Sequence, residues 1–360
     1  ALADVNRRLG ETTAARLALM ANDTGVVDRD LIYSRRWGAA LTLATGLGTD
    51  TTVTASYLHQ QSRARPDYGV LIVQPPGQIT ARPATEYDLG VERSTFTGYR
   101  NDVDRNTADI LTVRVSHKVS DRVSLTSDTR YGAYSRYFQY STLDTCSAAC
   151  LSALFDGNPA TEAFGGNGGQ GPYDMDAWGL QNISTLRADF DLGGRRNQLL
   201  AGIDVSRQEN DRLVYAYTLP AGVTTRPAIP RPLVNPSYDF PAGYGVFRAV
   251  PGQNITCPAT GNCATTANGA TVFTNTLGTA LIRSDATATD LALFASDRFW
   301  ITDSLSVIGS MRLDRYRAQL DSLQFNGVAT RIKATSTLKS SRLSVVFEPR
   351  GDATLYASWG

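Results

Sequence analysis

The sequence predicts an all-β protein, a transmembrane antiparallel β-barrel, on the strength of three observations. Many segments alternate between apolar and polar side chains at successive positions, which is the pattern of a strand with two different faces. Six short turns join such segments at one end, and longer connections join them at the other. No stretch approaches the ~20 consecutive apolar residues of a membrane helix. A chain with one lipid face therefore has to span with strands.

The alternation is clear in residues 111–119. Leu111, Val113 and Val115 are separated by polar residues, so every second side chain on one face is apolar. Residues 289–301 carry apolar side chains at both parities, and the sequence does not assign their faces. The same alternation recurs in 185–192, 199–206, 305–314 and 342–348.

Short turns and long connections differ in composition. Gly, Asp and Ser dominate the short turns because they tolerate positive φ or bond their own backbone. We expect periplasmic turns near residues 10, 48, 121, 194, 303 and 350. We expect extracellular loops near 23–30, 66–104, 139–178, 218–285 and 320–331. The whole chain, residues 1–360, is then one partial barrel domain.

A soluble β-sandwich is the main structural alternative, because its strands also alternate. Three features favour the membrane barrel over the sandwich. Charged residues recur within the polar faces, the strand pairs are long, and short turns alternate strictly with longer loops.

Composition restricts the function classes. The 360 residues carry a formal net charge of +1, so nucleic acid is not an expected partner. The sequence has no nucleophile elbow, P-loop, HExxH motif or paired-carboxylate motif, and no enzyme activity is predicted. The chain opens at Ala1 without a visible signal peptide and stops at Gly360 within a predicted strand, so we expect a fragment of a longer barrel.

The four cysteines form two close pairs, Cys146 with Cys150 and Cys257 with Cys263, in polar segments rich in Gly and Pro. Local disulfides in exposed loops are expected, which indicates an oxidising compartment. A metal site is the alternative, but the two histidines lie in strand patterns far from both pairs.

Short stretches along nearly the whole chain resemble TonB-dependent outer-membrane siderophore receptors, and those in 23–70 resemble the ferric-catecholate branch. The stretches include Asp4-Val5-Asn6, Arg36-Trp37-Gly38, Ser56-Tyr57-Leu58-His59, Pro66-Asp67-Tyr68-Gly69, Leu313-Asp314-Arg315-Tyr316 and Leu355-Tyr356-Ala357-Ser358-Trp359-Gly360. The resemblance implies a bacterial outer-membrane barrel of about 22 strands, of which about 12 are present here without the plug domain. It also implies contact with outer-membrane lipid and lipopolysaccharide, and with the TonB complex through the missing N-terminal plug region.

Such a receptor binds its ligand between the extracellular loops and the plug. A ferric catecholate is aromatic and anionic, so arginines and aromatic rings are the expected recognition groups. The loop 218–285 interleaves both, and its candidate ligand residues are Arg226, Arg231, Tyr238, Tyr244 and Arg248. In the second loop and just inside the rim the candidates are Arg63, Arg65, Tyr68, Arg136 and Tyr137. A scaffold role is the alternative for each, because rims and loops carry such residues without a ligand too.

The resemblance implies an active-transport receptor that binds a ferric siderophore outside the cell and releases it inward when TonB remodels the plug. Iron arrives as part of the chelate, so neither a cofactor nor a protein-bound metal is expected. Alternative functions are the same architecture for haem, cobalamin or a carbohydrate, a passive outer-membrane channel, and a barrel hydrolase.

Overall fold

The structure is a computed structural model. It describes residues 1–141, 155, 163–166, 172–218, 229–232, 234, 236–240, 242–243, 245–247, 262–267, 270–277, 281–324 and 327–360.

Nearly all regular structure is β-strand. The strands are β1 Leu2–Arg8, β2 Ala14–Gly25, β3 Tyr33–Thr45, β4 Thr51–Ala64, β5 Ile72–Val73, β6 Arg82–Pro83, β7 Val103–Ser120, β8 Val123–Gln139, β9 Ala163–Gly166, β10 Tyr173–Leu192, β11 Arg195–Val214, β12 Ala216–Thr218, β13 Ile229–Pro232, β14 Gly245–Phe247, β15 Asn262–Ala267, β16 Ala270–Leu277, β17 Leu281–Trp300, β18 Leu305–Gln324, β19 Ala329–Arg350 and β20 Ala353–Trp359. One 3₁₀ turn, η1, spans Ala84–Glu86. Within the described residues, no helix has the length and apolar character needed to cross a membrane.

Twelve strands form one antiparallel sheet in the order β1-β2-β3-β4-β7-β8-β10-β11-β17-β18-β19-β20. Each long strand pairs with the next long strand in the chain, as in an up-and-down barrel. Pairing is continuous over whole strands: β10 and β11 match residue for residue from Tyr173 with Val214 to Leu192 with Arg195. The remaining short strands form small separate sheets within the long connections.

The two faces of the large sheet differ in chemistry. On one face, Leu41 of β3 lies between Leu17 and Tyr57 in the pairing register, and all three are exposed. On the other face, Arg312 of β18 donates to Asp204 of β11 at 3.1 Å, across the intervening strand β17. A side chain reaches a strand two positions away over the concave side of a curved sheet. The polar face is therefore the lumen face, and the apolar one is the lipid face.

Pairing with β11 assigns the faces of β17, which the sequence leaves open. Leu291 and Leu293 are exposed on the lipid face, whereas Ala292 is fully buried and Phe294 lies beside Gly202 on the lumen face. A Cβ on Gly202 would lie 2.5 Å from the Phe294 ring, so glycine leaves the room that the ring needs. Both faces of β17 therefore carry apolar side chains, since those on one face meet lipid and those on the other pack within the lumen wall.

Aromatic and polar side chains mark one edge of the lipid face. Trp37 packs against His59 with ring centroids 4.8 Å apart. Asp109 accepts the Tyr57 hydroxyl at 2.5 Å and lies 2.7 Å from His59 Nδ1. Tyr and Trp concentrate at membrane–water interfaces, where an apolar ring and a polar tip are both satisfied. His59 is thus committed to a cross-strand cluster at the membrane edge.

Six short connections close one end of the sheet, here called the turn end, at β1–β2, β3–β4, β7–β8, β10–β11, β17–β18 and β19–β20. Gly46 starts the β3–β4 turn at φ +74°, and a Cβ there would overlap the Thr51 carbonyl oxygen. Glycine is therefore required at this position. The opposite end, with the longer connections, is called the loop end.

The connection between β18 and β19 is shorter than the expected loop 320–331. β18 continues to Gln324 and β19 begins at Ala329. Asp321 and Arg331 oppose each other in the register and form an ion pair, which holds these polar residues in strand conformation. The expected loop 320–331 was therefore too wide at both ends. Long strands also begin inside three other expected loops, at Val103 within 66–104, at Tyr173 within 139–178 and at Leu281 within 218–285.

A pair of residues, here called the loop latch, ties the first loop-end connection to the second. Arg29 donates to both carboxylate oxygens of Asp67, at 2.9 and 2.6 Å, and to the carbonyl oxygens of Arg93, Thr95 and Gly69. The Arg29 side chain is only 6% exposed. Because a buried guanidinium is costly without partners, this bidentate pair and its carbonyl contacts hold the two connections together as one packed unit.

Replacing Leu41 by Arg puts a cation into hydrocarbon, and we expect it to destabilise the protein in lipid by about 2–4 kcal/mol. The matched Ala40→Arg variant places the same cation on the lumen face and should cost clearly less. Urea unfolding of the full-length protein in phosphatidylcholine vesicles measures both. Equal destabilisation by the two variants would contradict the assignment of the faces.

Replacing Asp67 by Asn leaves the Arg29 charge buried without its partner, and we expect the two connections to open locally at a cost of about 3 kcal/mol. Hydrogen exchange in residues 26–32 and 65–102 measures this opening. Asp88→Asn, a change at an exposed residue of the same connection, is the matched control and should keep wild-type protection. If Asp67→Asn kept wild-type protection from hydrogen exchange, the claim that the Arg29–Asp67 pair holds the two connections together would be contradicted.

The latch also predicts a pH dependence. Burial alone would raise the pKa of Asp67, but the bonds from Arg29 and the Gly69 N–H outweigh burial and hold that pKa below the ordinary 3.8. A depressed pKa means that the contribution of the latch is complete above the unfolded value and is lost as the pH falls through the folded one. Protection in the wild type should therefore fall only below about pH 4, whereas Asp67→Asn should show no such step.

Candidate functional site

A group of six side chains at the loop end of the lumen face forms the candidate site, here called the aromatic–arginine cluster. Its members are Tyr68, Arg136, Phe138, Tyr140, Tyr173 and Arg212. Strand geometry brings the central members together. Arg136 and Phe138 are two residues apart on β8 and share a face, Tyr173 opposes Phe138, and Arg212 lies diagonally from Tyr173 on β11.

Aromatic rings in the cluster are in direct contact. The Phe138 ring lies 4.8 Å from Tyr140 and 5.6 Å from Tyr173, measured between centroids. Tyr68 lies 5.4 Å from Tyr140. These separations are those of favourable tilted and offset ring pairs. A continuous aromatic surface thus joins the second loop-end connection to the ends of β8 and β10.

Two guanidinium groups lie over these rings. Arg136 Cζ is 4.3 Å from the Phe138 centroid, and Arg212 Cζ is 4.2 Å from the Tyr173 centroid. Arg136 also donates to both oxygens of Asp104 at 2.9 Å and to the Tyr173 hydroxyl at 2.9 Å. These bonds fix the plane of Arg136, so its position is set before any ligand arrives.

Tyr68 is the member that the second connection contributes. Its side chain is about half exposed, at 52%. Partial burial raises the pKa of Tyr68 to about 12, with Tyr140 and the Asp102 carboxylate adding to the effect. The phenol therefore stays protonated at physiological pH and presents a neutral O–H donor beside the guanidinium groups.

A recess continues the cluster along the lumen face. It has a volume of about 570 Å³ and is lined by Tyr134 and Tyr316 around a floor of Ala177, Gly179 and Ala288. Tyr134 is two residues before Arg136 on β8, so the recess begins directly beside the cluster. This volume suits a small organic ligand, and small floor residues leave the space open. The arrangement can bind and orient an aromatic anion.

The structure separates the predicted rim residues. Tyr68 and Arg136 lie in the cluster. Arg65 lies just outside β4, where it donates to the carbonyl oxygens of Leu31 and Arg100 and thus holds the connection in place. Arg63 and Tyr137 belong to the other face, in register with Arg105. A shift of one position along a strand changes the face, since neighbouring side chains point to opposite sides of the sheet.

Only part of the predicted loop site lies within the described residues. Tyr238 is half-buried and packs on the second connection, with its ring 6.2 Å from Phe96 and 5.9 Å from the Arg100 guanidinium carbon. The backbone of Arg231 lies in β13, opposite Phe164, and its side chain is outside the described part. The predicted ligand and disulfide residues that lie outside the described part of the chain are Arg226, Tyr244, Arg248, Cys146, Cys150 and Cys257. For Cys263, only the backbone, in β15, is described.

Four cluster members were not among the predicted site residues: Phe138, Tyr140, Tyr173 and Arg212. The signal for Phe138 was present, because it follows Arg136 at the two-residue period. Tyr173 falls inside the expected loop 139–178, and Arg212 lies near the end of β11, beyond the alternating segment 199–206. Across the described ranges, no group of three or more His, Cys, Asp and Glu side chains is arranged to hold a metal ion.

Comparison with known proteins places this geometry in a family. The family model described as TonB dependent receptor-like, beta-barrel, matches residues 36–360. The catecholate siderophore receptor Fiu of Escherichia coli K12 is 25% identical over 323 residues, covering 89% of this chain and 37% of that receptor. The probable TonB-dependent siderophore receptor PiuA of Acinetobacter baumannii is 21% identical, covering 99% and 43%. The chain thus spans less than half the length of these curated relatives.

Solved structures agree on the fold. The open form of the ferric-catecholate import receptor Fiu matches with a TM-score of 0.75 at 20% identity, over 99% of this chain and 51% of that one. PiuA of Acinetobacter baumannii matches with a TM-score of 0.74 at 18% identity, over 99% and 46%. The chain therefore belongs to the TonB-dependent receptor family, and it forms part of the β-barrel that these receptors place in the bacterial outer membrane.

Proposed function

We propose that the full-length protein is an outer-membrane receptor for TonB-dependent uptake of ferric siderophores of the catecholate type. The observation that carries this proposal is the aromatic–arginine cluster at the mouth of the lumen. Catecholate rings favour aromatic and guanidinium faces, and the anionic chelate favours cations. Iron enters as part of the chelate, with no resident cofactor.

The relatives support the same function. Fiu is described as a catecholate siderophore receptor and PiuA as a probable siderophore receptor, and both resemble this chain across most of its length. Within the proposal, TonB acts through the N-terminal plug region. The protein then supplies different affinities for the chelate in two plug states and breaks no covalent bond. Outer-membrane lipid and lipopolysaccharide are the proposed surroundings of the lipid face.

Ligand contact is proposed for two groups of residues. The first is the cluster, with Tyr68 and Arg136 from the sequence-based set and Tyr173 and Arg212 added by the geometry. The second is the fourth loop, where the interleaving of arginines and aromatics remains the supporting argument. Its proposed ligand residues are Arg226, Arg231, Tyr238, Tyr244 and Arg248.

Growth on a panel of ferric siderophores tests the transport function. A strain that lacks the gene for the full-length protein and other catecholate receptors should fail to grow on ferric catecholates under iron starvation, and expression of the protein should restore growth. Ferric hydroxamates should feed both strains equally, which is the control. Growth of the deletion strain on catecholates at the rate of the complemented strain would contradict the assignment. If expression of the protein restored growth on haem but not on ferric catecholates, the protein would be a haem receptor instead.

Binding to the purified full-length protein tests the cluster. Arg136→Gln removes a guanidinium from the ring face, and we expect roughly tenfold weaker binding of a ferric catecholate by tryptophan-fluorescence quenching. Arg105→Gln is the matched control, because it removes an exposed arginine from the opposite face of the neighbouring strand.

We also expect weaker binding when Arg226, Arg231 and Arg248 are all changed to Gln. Unchanged affinity in either variant would remove that group from the site.

A further inference from the structure

Two carboxamide side chains of β11, Gln208 and Asn210, belong to the lining of the recess and are here called the carboxamide pair. Both share the lumen face with Arg212 and follow it toward the turn end at the two-residue period of a strand. A carboxamide offers two N–H donors and one carbonyl acceptor. The pair therefore presents neutral hydrogen-bonding groups to the recess, directly beside a guanidinium group of the cluster.

Strand register leaves open space on both sides of each carboxamide. The residues that oppose the pair on the neighbouring strands β10 and β17 are all small: Ala177 and Ala286 for Asn210, and Gly179 and Ala288 for Gln208. Opposing side chains on one face are direct neighbours in a sheet. Because these neighbours are small, a ligand can lie across the three strands and contact both carboxamides.

Two tyrosines stand at the sides of this space, Tyr134 on β8 and Tyr316 on β18. A Cβ on Gly132 would lie 2.6 Å from the Tyr134 hydroxyl oxygen. The glycine therefore lets the Tyr134 ring lie along the wall, where it bounds the recess. Rings at the sides and carboxamides between them suit an organic group that has both apolar and hydrogen-bonding parts.

The charge in the recess is low. Among the described residues that line it, Glu209 is the charged one. It alternates with the carboxamide pair along β11, so its side chain points to the opposite face, where it lies 3.8 Å from Arg207. A neutral polar group is therefore better suited to this space than an anion, which would lose water without gaining a cation.

The cations of the cluster lie one step nearer the loop end. Arg136 and Arg212 both oppose Met175, so the two guanidinium groups belong to one row across three strands. That row is ~6.6 Å from the row of Asn210, which is two residues along a strand. An anionic iron centre at the arginines and a short uncharged arm in the recess can therefore be bound at the same time.

We propose that the carboxamide pair determines specificity, and that it selects ferric catecholates whose rings carry an arm joined through amide bonds. The N–H and C=O groups of such an arm match the acceptors and donors of Gln208 and Asn210. A site that hydrogen-bonds a ligand group discriminates against an analogue without that group, because its own polar side chains then lose their partners. The inference rests on the proposed function and adds to it which chelates are preferred.

Tryptophan-fluorescence quenching of the purified full-length protein tests the selection with two preformed ferric chelates of equal charge. One is formed by ortho-dihydroxybenzoyl glycinamide, whose arm contains amides, and the other by butylcatechol, whose arm contains none. We expect the wild type to bind the amide-bearing chelate about tenfold more tightly, the effect of one or two hydrogen bonds. The variant with Gln208→Leu and Asn210→Leu should lose this preference and bind the butylcatechol chelate at least as tightly as the wild type.

A second variant fills the recess and keeps both carboxamides. A Cβ on Gly179 would meet its nearest neighbours, the Arg207 carbonyl oxygen and the Gln208 Cβ, at 3.8 Å, an ordinary contact, so Gly179→Val is compatible with the fold. It should weaken binding of the amide-bearing chelate, whereas ferric catechol, which has no arm, should bind as it does to the wild type. Glu209→Gln, between the two carboxamides but on the opposite face, is the matched control and should leave the binding of every chelate unchanged.

Two outcomes would overturn the proposal. An unchanged preference in the leucine variant would show that the carboxamides do not contact the arm, and an equal loss of both chelates would show that they hold the structure instead. If the leucine variant does not fold, Gly179→Val decides the matter. A wild-type protein that binds none of the chelates would contradict the proposed function itself, so the two failures are distinguishable.

Discussion

The antiparallel hydrogen-bond ladder is the constraint on which the rest of this structure depends. In hydrocarbon, every backbone N–H and C=O of a strand has to find its partner on a neighbouring strand, because water is absent. Long antiparallel pairing between neighbouring strands provides those partners inside the sheet, and β10 with β11 shows it residue for residue. Once the register is set, each side chain is committed to lipid or to lumen.

The site follows from this commitment. Arg136 and Phe138 face the lumen because they share a parity on β8, and pairing then brings Tyr173 and Arg212 beside them. Side chains lower in the lumen balance charge within the wall, as where Arg312 bonds both Asp204 at 3.1 Å and Asp314 at 2.8 Å. The same register places Met311 and Leu313 of β18 on the lipid face. Lumen and lipid chemistry are thus two consequences of one pairing pattern.

Loops contribute what strands cannot. Arg29 and Asp67 hold the first two connections together, and Asp102 fastens the second one to the end of β8 by accepting the Ser141 hydroxyl at 2.9 Å and N–H at 3.1 Å. These anchors place Tyr68 against Tyr140. Part of the mouth is therefore preorganised, which lowers the entropy lost when a ligand binds.

Local periodicity predicted much of the fold but less of the site. Alternation in 111–119 and 305–314 reports a local property, so it was sufficient to predict the barrel class. The faces of β17 could not be predicted, because both parities are apolar for different reasons. Arg63 and Tyr137 were grouped with Arg136 because they are predicted to lie near the same rim, but nearness to the rim does not say which face of its strand a side chain occupies. Contact between Tyr68 and Tyr140 depends on loop packing between distant segments, which no local pattern encodes.

A spin-label accessibility scan of β18 tests the central claim most directly. Each residue from Leu305 to Gln324 is changed in turn to a labelled cysteine, in a full-length protein whose native cysteines are replaced by Ser. The account predicts that access to oxygen, which concentrates in lipid, alternates with access to a water-soluble nickel complex at every residue, with Met311 and Leu313 on the oxygen side and Arg312 and Asp314 on the other. A period near 3.6 residues, or no alternation at all, would contradict it.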